Sequence, residues 1–245
     1  MHFAAWPRRG ARIDAFLRTL PTDWSDVGAV IVEPIQGRAG VRLPPPGFLR
    51  ALKRLCRASG ALLIVDEVLT GIGRCGAWWR AVDDGVVPDL ICAGKALGGG
   101  LPISACIGDR EVMNAWGDPD KEAIHTGTFY GDPLGAAAAL ATLELIEREQ
   151  WVKAAAERGS VFAQALRSEA LPGVEEVRQV GMLLGMELRG QMRALKITRA
   201  LLERGYLVLP AGIDASVIQI APAITIADAQ LEGFVAALRE SLEQQ

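Results

Sequence analysis

Hydrophobic positions along this chain fall into short unbroken runs separated by stretches with helical spacing. Residues 27–32 form a β-branched run that stops at Glu33-Pro34. Pro44-Pro45-Pro46-Gly47 then punctuates the chain, and Phe48, Leu49, Leu52 and Leu55 recur at the interval of one helix face. Gly60 closes that helix, and residues 61–65 form a second apolar run that leads directly into Asp66-Glu67. Residues 90–93 and 103–107 are further strand candidates. Continuous apolar strands alternating with amphipathic helices predict an α/β fold whose parallel sheet is covered on both faces.

Asp132-Pro133 supplies an N-cap and a first-turn proline, so a helix is predicted from there to about residue 149. A second helical stretch covers residues 151–169. Beyond it the pattern changes. Strand-like runs at 174–180, 183–188, 206–209 and 217–220 mix with helical stretches at 192–204 and 229–242. The expected organisation is therefore a large domain over residues 1–150 and a smaller α+β domain over residues 151–245.

Composition narrows the class. Half of the 245 residues are hydrophobic and 22% are charged, which is ample for a core. A net charge of −3 provides no basic field for nucleic acid; the arginines at 8–9 and from Arg50 to Arg57 are local. The longest largely apolar stretch, 134–143, falls short of the roughly 20 residues of a membrane helix, and the first residues lack the apolar core of a signal peptide. Cys56, Cys75, Cys92 and Cys106 have no metal-ligand clustering and lie in or beside apolar stretches, as free thiols in a reducing compartment would. A soluble cytoplasmic protein that binds neither membrane nor nucleic acid is expected.

The chemistry sits at the ends of the predicted strands. In sheets of this kind ligands bind beyond the carboxyl ends of the strands, where Glu33, Asp66 and the loop carrying Lys95 should converge. Lys95 lies between an apolar run and the triplet Gly98-Gly99-Gly100. An amine that can lose its proton in such a place can form a Schiff base with a carbonyl. Taken singly, a strand-end aspartate reads as a turn former and a lysine before glycines as a solvated side chain. A nucleotide loop is a weaker reading, because the glycines lack dinucleotide-loop spacing and the lysine precedes them.

Four motifs in order change the weight of these residues. Glu33-Pro34-Ile35-Gln36-Gly37, Asp66-Glu67-Val68-Leu69-Thr70-Gly71, Gly94-Lys95-Ala96-Leu97-Gly98-Gly99-Gly100 and Thr128-Phe129-Tyr130-Gly131-Asp132-Pro133-Leu134 resemble those of class III aminotransferases. These are pyridoxal 5′-phosphate enzymes of fold type I, and the resemblance extends over essentially the whole chain. It implies a fold type I large domain, mostly parallel and flanked by helices, followed by a small α+β domain. It also implies that Lys95 forms the internal aldimine with pyridoxal phosphate and shuttles a proton on the substrate. Asp66 would pair with the ring nitrogen, Val68 would pack on the ring, and Thr128 would bind the cofactor phosphate of the neighbouring subunit of a homodimer. The implied reaction moves an amino group from an amine or amino acid to a 2-oxo acid. A family aminomutase would use the same Lys95 and Asp66, and a non-catalytic fragment acting as a dimerisation partner would keep the same signature.

Several positions depart from the family pattern. The long N-terminal part that supplies the phosphate loop and a ring-stacking aromatic is missing, so the chain resembles a C-terminal part of such an enzyme, with weak cofactor retention and poor solubility expected. Leu69 stands where many members have a glutamine, and Asp132 where an asparagine is common. Gln219, in Gln219-Ile220-Ala221-Pro222-Ala223, occupies the place of an arginine that clamps the substrate carboxylate, while Arg38 occupies the place of its shielding glutamate. Two readings of Arg38 are open: it has taken over carboxylate binding with Gln219 as a neutral partner, or it faces solvent from a loop. His125 reads as a loop-ordering residue, His2 is terminal, and neither has a metal-ligand neighbour, so no metal is expected.

Overall fold

The computed structural model describes residues 1, 3–7, 10–21, 23–115 and 127–244. The chain divides into two compact units, one comprising residues up to Pro34 with 44–72 and 79–148, the other comprising 35–43, 73–78 and the chain from Glu149 onward.

The first unit runs α1 (Ile13–Leu17), β1 (Ala29–Val32), α2 (Phe48–Ser59), β2 (Leu62–Asp66), α3 (Arg80–Asp83) and β3 (Leu90–Ala93). A 3-10 turn (Lys95–Gly98), β4 (Ala105–Gly108), α4 (Arg110–Asn114) and α5 (Pro133–Arg148) follow. The strands stand in the order β1-β2-β3-β4. The β1–β2 and β2–β3 pairs are parallel, with Val32 opposite Val65 and Asp66 opposite Cys92. The β3–β4 pair is antiparallel, which makes the sheet mixed.

Burial follows the alternation of each strand. Leu63 and Val65 turn one face of β2 into a core with Phe48, Leu49, Leu52 and Cys56 of α2. Phe48 also meets Trp6 and Phe16 edge to face, each at a centroid distance of 5.2 Å. Gly60 adopts φ 73° just after α2, and Ala61 N–H donates to Cys56 O to satisfy its last turn. The other face is less covered: Ile31 is 66% exposed, and Ile64, Leu90 and Cys92 are half-buried. α5 starts where Asp132-Pro133 predicts, and Asp132 Oδ2 accepts from Gly135 N–H at 2.7 Å.

The second unit contains α6 (Trp151–Ser168), β5 (Val174–Val180), β6 (Leu183–Leu188), α7 (Arg193–Glu203), β7 (Leu209–Ala211), β8 (Val217–Ile220) and α8 (Asp228–Glu243). Its sheet has the order β5-β6-β8-β7 and is antiparallel throughout. Phe162, Leu166, Met186, Ile197, Ile218 and Leu238 belong to one core between helices and sheet. The strand predicted at 206–209 begins later, at Leu209. Tyr206 instead packs its ring on Phe234 at 5.5 Å, and Leu207 is exposed. No helix among the described residues is long and apolar enough to cross a membrane.

Candidate active site

Because β1, β2 and β3 are parallel neighbours, their carboxyl ends share one edge of the sheet, and Glu33, Asp66 and Lys95 follow those ends. Asp66 is the last residue of β2 and is half-buried. Its Oδ1 accepts from Val68 N–H at 3.0 Å, a turn that leaves the second oxygen without a partner among the described residues. Glu67 N–H donates to Cys92 O at 2.9 Å and carries the β2–β3 ladder one step further.

Glu67 anchors this turn from the interior, a role the sequence motifs did not assign. It is 1% exposed. Ala81 N–H donates to its Oε1 at 2.7 Å, and the Thr70 hydroxyl donates to its Oε2. Gly71 N–H donates to the Glu67 carbonyl at 2.9 Å. Burial pushes the Glu67 carboxyl above the usual carboxylate range, opposed by the donors from Thr70 and Ala81. The signal available in sequence was the second acidic residue of Asp66-Glu67, placed on the opposite side of the strand end.

Lys95 opens the 3-10 turn with φ 45°, in the left-handed region that a side chain with a Cβ rarely adopts. Such a residue costs about 1–3 kcal/mol and persists where its surroundings over-determine it. Here Leu97 N–H donates to Gly94 O at 3.0 Å, and Leu97 is buried. Gly94 itself is extended, and a Cβ there would meet Val68 Cγ1 at 3.4 Å. Val68 is thereby packed beside the residue that precedes Lys95. The Lys95 side chain is exposed and makes no hydrogen bond or ion pair among the described residues. Asp66, Val68 and Lys95 all lie at or just after the carboxyl ends of β2 and β3 at this edge of the sheet.

Thr128 lies on an exposed turn ahead of α5, in which Tyr130 N–H donates to Gly127 O at 3.0 Å. Its hydroxyl has no partner among the described residues. Leu69 is half-buried in the Asp66 turn. His125 and His2 lie outside the described residues. Among the described residues no cluster of three or more His, Cys, Asp or Glu could hold a metal ion.

Arg38 and Gln219 belong to the second unit. The 35–43 segment closes on itself through reciprocal bonds between Gln36 and Arg42. The Arg38 side chain is exposed and approaches Pro210 O at 3.4 Å, and Gly212 N–H donates to Arg38 O at 3.1 Å. Gln219 is 5% exposed, and its Oε1 has no hydrogen-bond partner among the described residues. Arg178, Gly185, Gln219 and Leu209 are register partners across all four strands and so share a face. The 35–43 loop lies on that face. A Cβ on Gly185 would meet Val41 Cβ at 2.8 Å, and Arg178 Nη2 donates to Gly40 O at 2.9 Å. Arg38 and Gln219 are thus on the same side of this sheet. Arg178, which the motifs did not single out, fixes the loop with its buried guanidinium, paired also with Glu176 at 2.6 Å and with Glu187.

Known proteins match over most of this chain. It is 43% identical over 217 residues to the acetylornithine aminotransferase of Methanopyrus kandleri, covering 89% of the chain and 54% of that relative. It is 40% identical over 216 residues to the acetylornithine aminotransferase of Mycobacterium bovis, covering 88% and 52%. The ornithine aminotransferase of Toxoplasma gondii, solved with pyridoxal phosphate partly occupying its active site, is 34% identical with a TM-score of 0.81, covering 90% of this chain and 51% of that one. The chain spans about half the length of the curated relatives it matches. The family described as aminotransferase class-III matches residues 9–242, and the chain belongs to it.

Proposed function

We propose that this chain carries the cofactor lysine of a pyridoxal phosphate-dependent aminotransferase, which moves an amino group from an amine or amino acid to a 2-oxo acid. The observation that supports it most is Asp66 and Lys95 at one edge of the sheet, on the ends of neighbouring parallel strands, with Val68 packed against Gly94 between them. The donor set suits the cofactor. Among the described residues Lys95 offers an amine with no competing partner and Asp66 an oxygen free for a ring N–H, and half-buried Val68 offers an apolar contact for a ring face. Bound there, pyridoxal phosphate supplies an aldehyde to join amines and a protonated ring to draw electrons from the substrate carbon.

The chain's own groups do the remaining work. With the cofactor bound, Lys95 Nζ would supply the amine that joins its aldehyde and would carry the proton to and from the substrate's amino-bearing carbon. The Asp66 carboxylate would hold the ring nitrogen and favour its protonated form by opposite charge. The Thr128 hydroxyl, on its exposed turn, would donate to the cofactor phosphate held by a second copy, with a homodimer as the working unit. Exposed Phe129, Tyr130 and Leu134 beside it offer apolar surface for that contact. Arg38 binds the substrate carboxylate, with Gln219 as its neutral partner, and the relatives' names direct the choice of donor to ornithine-like amino acids. We read the first unit as the partial cofactor-binding domain and the second as the small C-terminal domain. The free thiols fit a cytoplasmic setting.

The test is covalent capture. The purified chain is incubated with pyridoxal phosphate, reduced with borohydride and mapped by peptide mass. Label concentrated on Lys95, and lost without spreading in Lys95→Ala, is the expected result. Equal labelling of Lys53, Lys153 and Lys196 would overturn the assignment.

A further inference from the structure

Cys92 and Cys106 face each other across β3 and β4 as direct register partners of an antiparallel pair. The Cys92 carbonyl accepts from Glu67 N–H on the β2 side, so its polar backbone groups turn away from β4. The Cys92–Cys106 pair is therefore of the non-hydrogen-bonded type, whose Cα atoms approach to about 4.5 Å and whose side chains are closer than in the alternate pairs. That separation lies at the short end of the range a disulfide accepts, roughly 4.4–6.8 Å between Cα atoms. Directly opposed residues also share a face. Both thiols are free, Cys106 is exposed and Cys92 half-buried. The other two cysteines, Cys56 and Cys75, are buried.

We propose that Cys92 and Cys106 are a reversible dithiol–disulfide site that reacts with low-molecular-weight disulfides. The Cys106 thiolate, the accessible one, attacks the small disulfide RSSR, forming a mixed disulfide and releasing one RS⁻. The Cys92 thiolate then attacks the Cys106 sulfur and expels the second RS⁻. Two protein thiols are oxidised, RSSR is reduced to two thiols, and the two cysteine protons pass through solvent to the departing thiolates. Burial first, then the neighbouring Cys106 and Asp66, push the Cys92 thiol up, so the closing step quickens as pH rises. Exposed or strained disulfides are the labile ones, and this pair combines an exposed thiol with a pairing geometry near the short end of the accepted span. Closure would fasten the 93–105 segment, with Lys95 inside it, into a covalent ring beside Asp66. The proposal does not depend on cofactor binding.

The test uses the reduced chain with oxidised glutathione as the probe, read by thiol titration and peptide mapping under native conditions. The expected product lacks two thiols, contains a linked Cys92–Cys106 peptide pair lighter by two hydrogens, and reverts with dithiothreitol. Cys92→Ser is expected to stop at a glutathione adduct on Cys106, and Cys106→Ser to leave Cys92 unlinked to any cysteine. A wild-type chain that keeps the adduct on Cys106, or pairs Cys106 with Cys56, Cys75 or another copy, overturns the proposal. So does a chain in which neither thiol reacts.

Discussion

Gly94 and Val68 meet so closely that a single Cβ on the glycine would sit 3.4 Å from Val68 Cγ1 and 3.7 Å from Ile103 O. Gly94 is extended, so its backbone would accept any residue, and the space beside Val68 sets the limit. Gly94→Ala should be tolerated, losing under about 1 kcal/mol, whereas Gly94→Leu should cost about 1–3 kcal/mol by overpacking. Denaturant unfolding of the two variants measures the difference. The borohydride label on Lys95 should fall in the leucine variant and persist in the alanine one.

Glu67 should make stability depend on pH in an unusual direction. Its folded-state carboxyl titrates above the ordinary value of 4.5, because burial disfavours the charge. The folded state therefore binds a proton more tightly than the unfolded one. Glu67 contributes stability that is fully present below pH 4.5 and lost as pH rises through the higher folded value. Glu67→Gln keeps an acceptor for Ala81 N–H and removes the charge, so its pH–stability curve should lack this decline. Glu67→Ala should instead lose about 2–4 kcal/mol, since Ala81 N–H and the Thr70 hydroxyl are left buried without their acceptor.

Arg178 should hold the 35–43 loop against its own sheet. Arg178→Ala removes the donor to Gly40 O and the partner of Glu176 and Glu187. The two carboxylates are partly exposed and regain water, which limits the loss to about 2–3 kcal/mol. Limited proteolysis should show new cleavage within 35–43 in this variant before global unfolding.

Arg38→Ala should leave stability within about 0.5 kcal/mol, because the side chain is exposed and its contact to Pro210 O is long. If Arg38 receives the substrate carboxylate, the variant should raise KM for the 2-oxo acid about tenfold and leave kcat little changed, the loss of one charge-assisted bond. Steady-state kinetics with a full-length relative carrying Arg38 and Gln219 at these positions would check it; unchanged KM for both substrates would refute the role.

Much of this architecture was legible from periodicity. β2 and β3 are short apolar runs, and their pairing places Asp66 and Lys95 as the strand-end rule requires. α5 follows from Asp132-Pro133. The direction of β4 does not follow from its residues, since apolar runs look alike in either sense. It does follow from length: the 94–104 link is shorter than the dozen or so residues that a parallel crossover takes. The grouping of 35–43 and 73–78 with the later half of the chain was hidden, because it rests on contacts between residues far apart in sequence, such as Arg178 with Gly40. Glu67 and Arg178 were missed for a related reason. Their importance comes from what buries and binds them, and local pattern carries no record of that.

The left-handed backbone at Lys95 sets two selections at odds. A screen for heat tolerance, blind to chemistry, should favour glycine or asparagine at position 95, residues that accept this conformation with less strain. A screen for amine reactivity should hold lysine there against that gradient. The two libraries, started from the same gene, would diverge first at this codon.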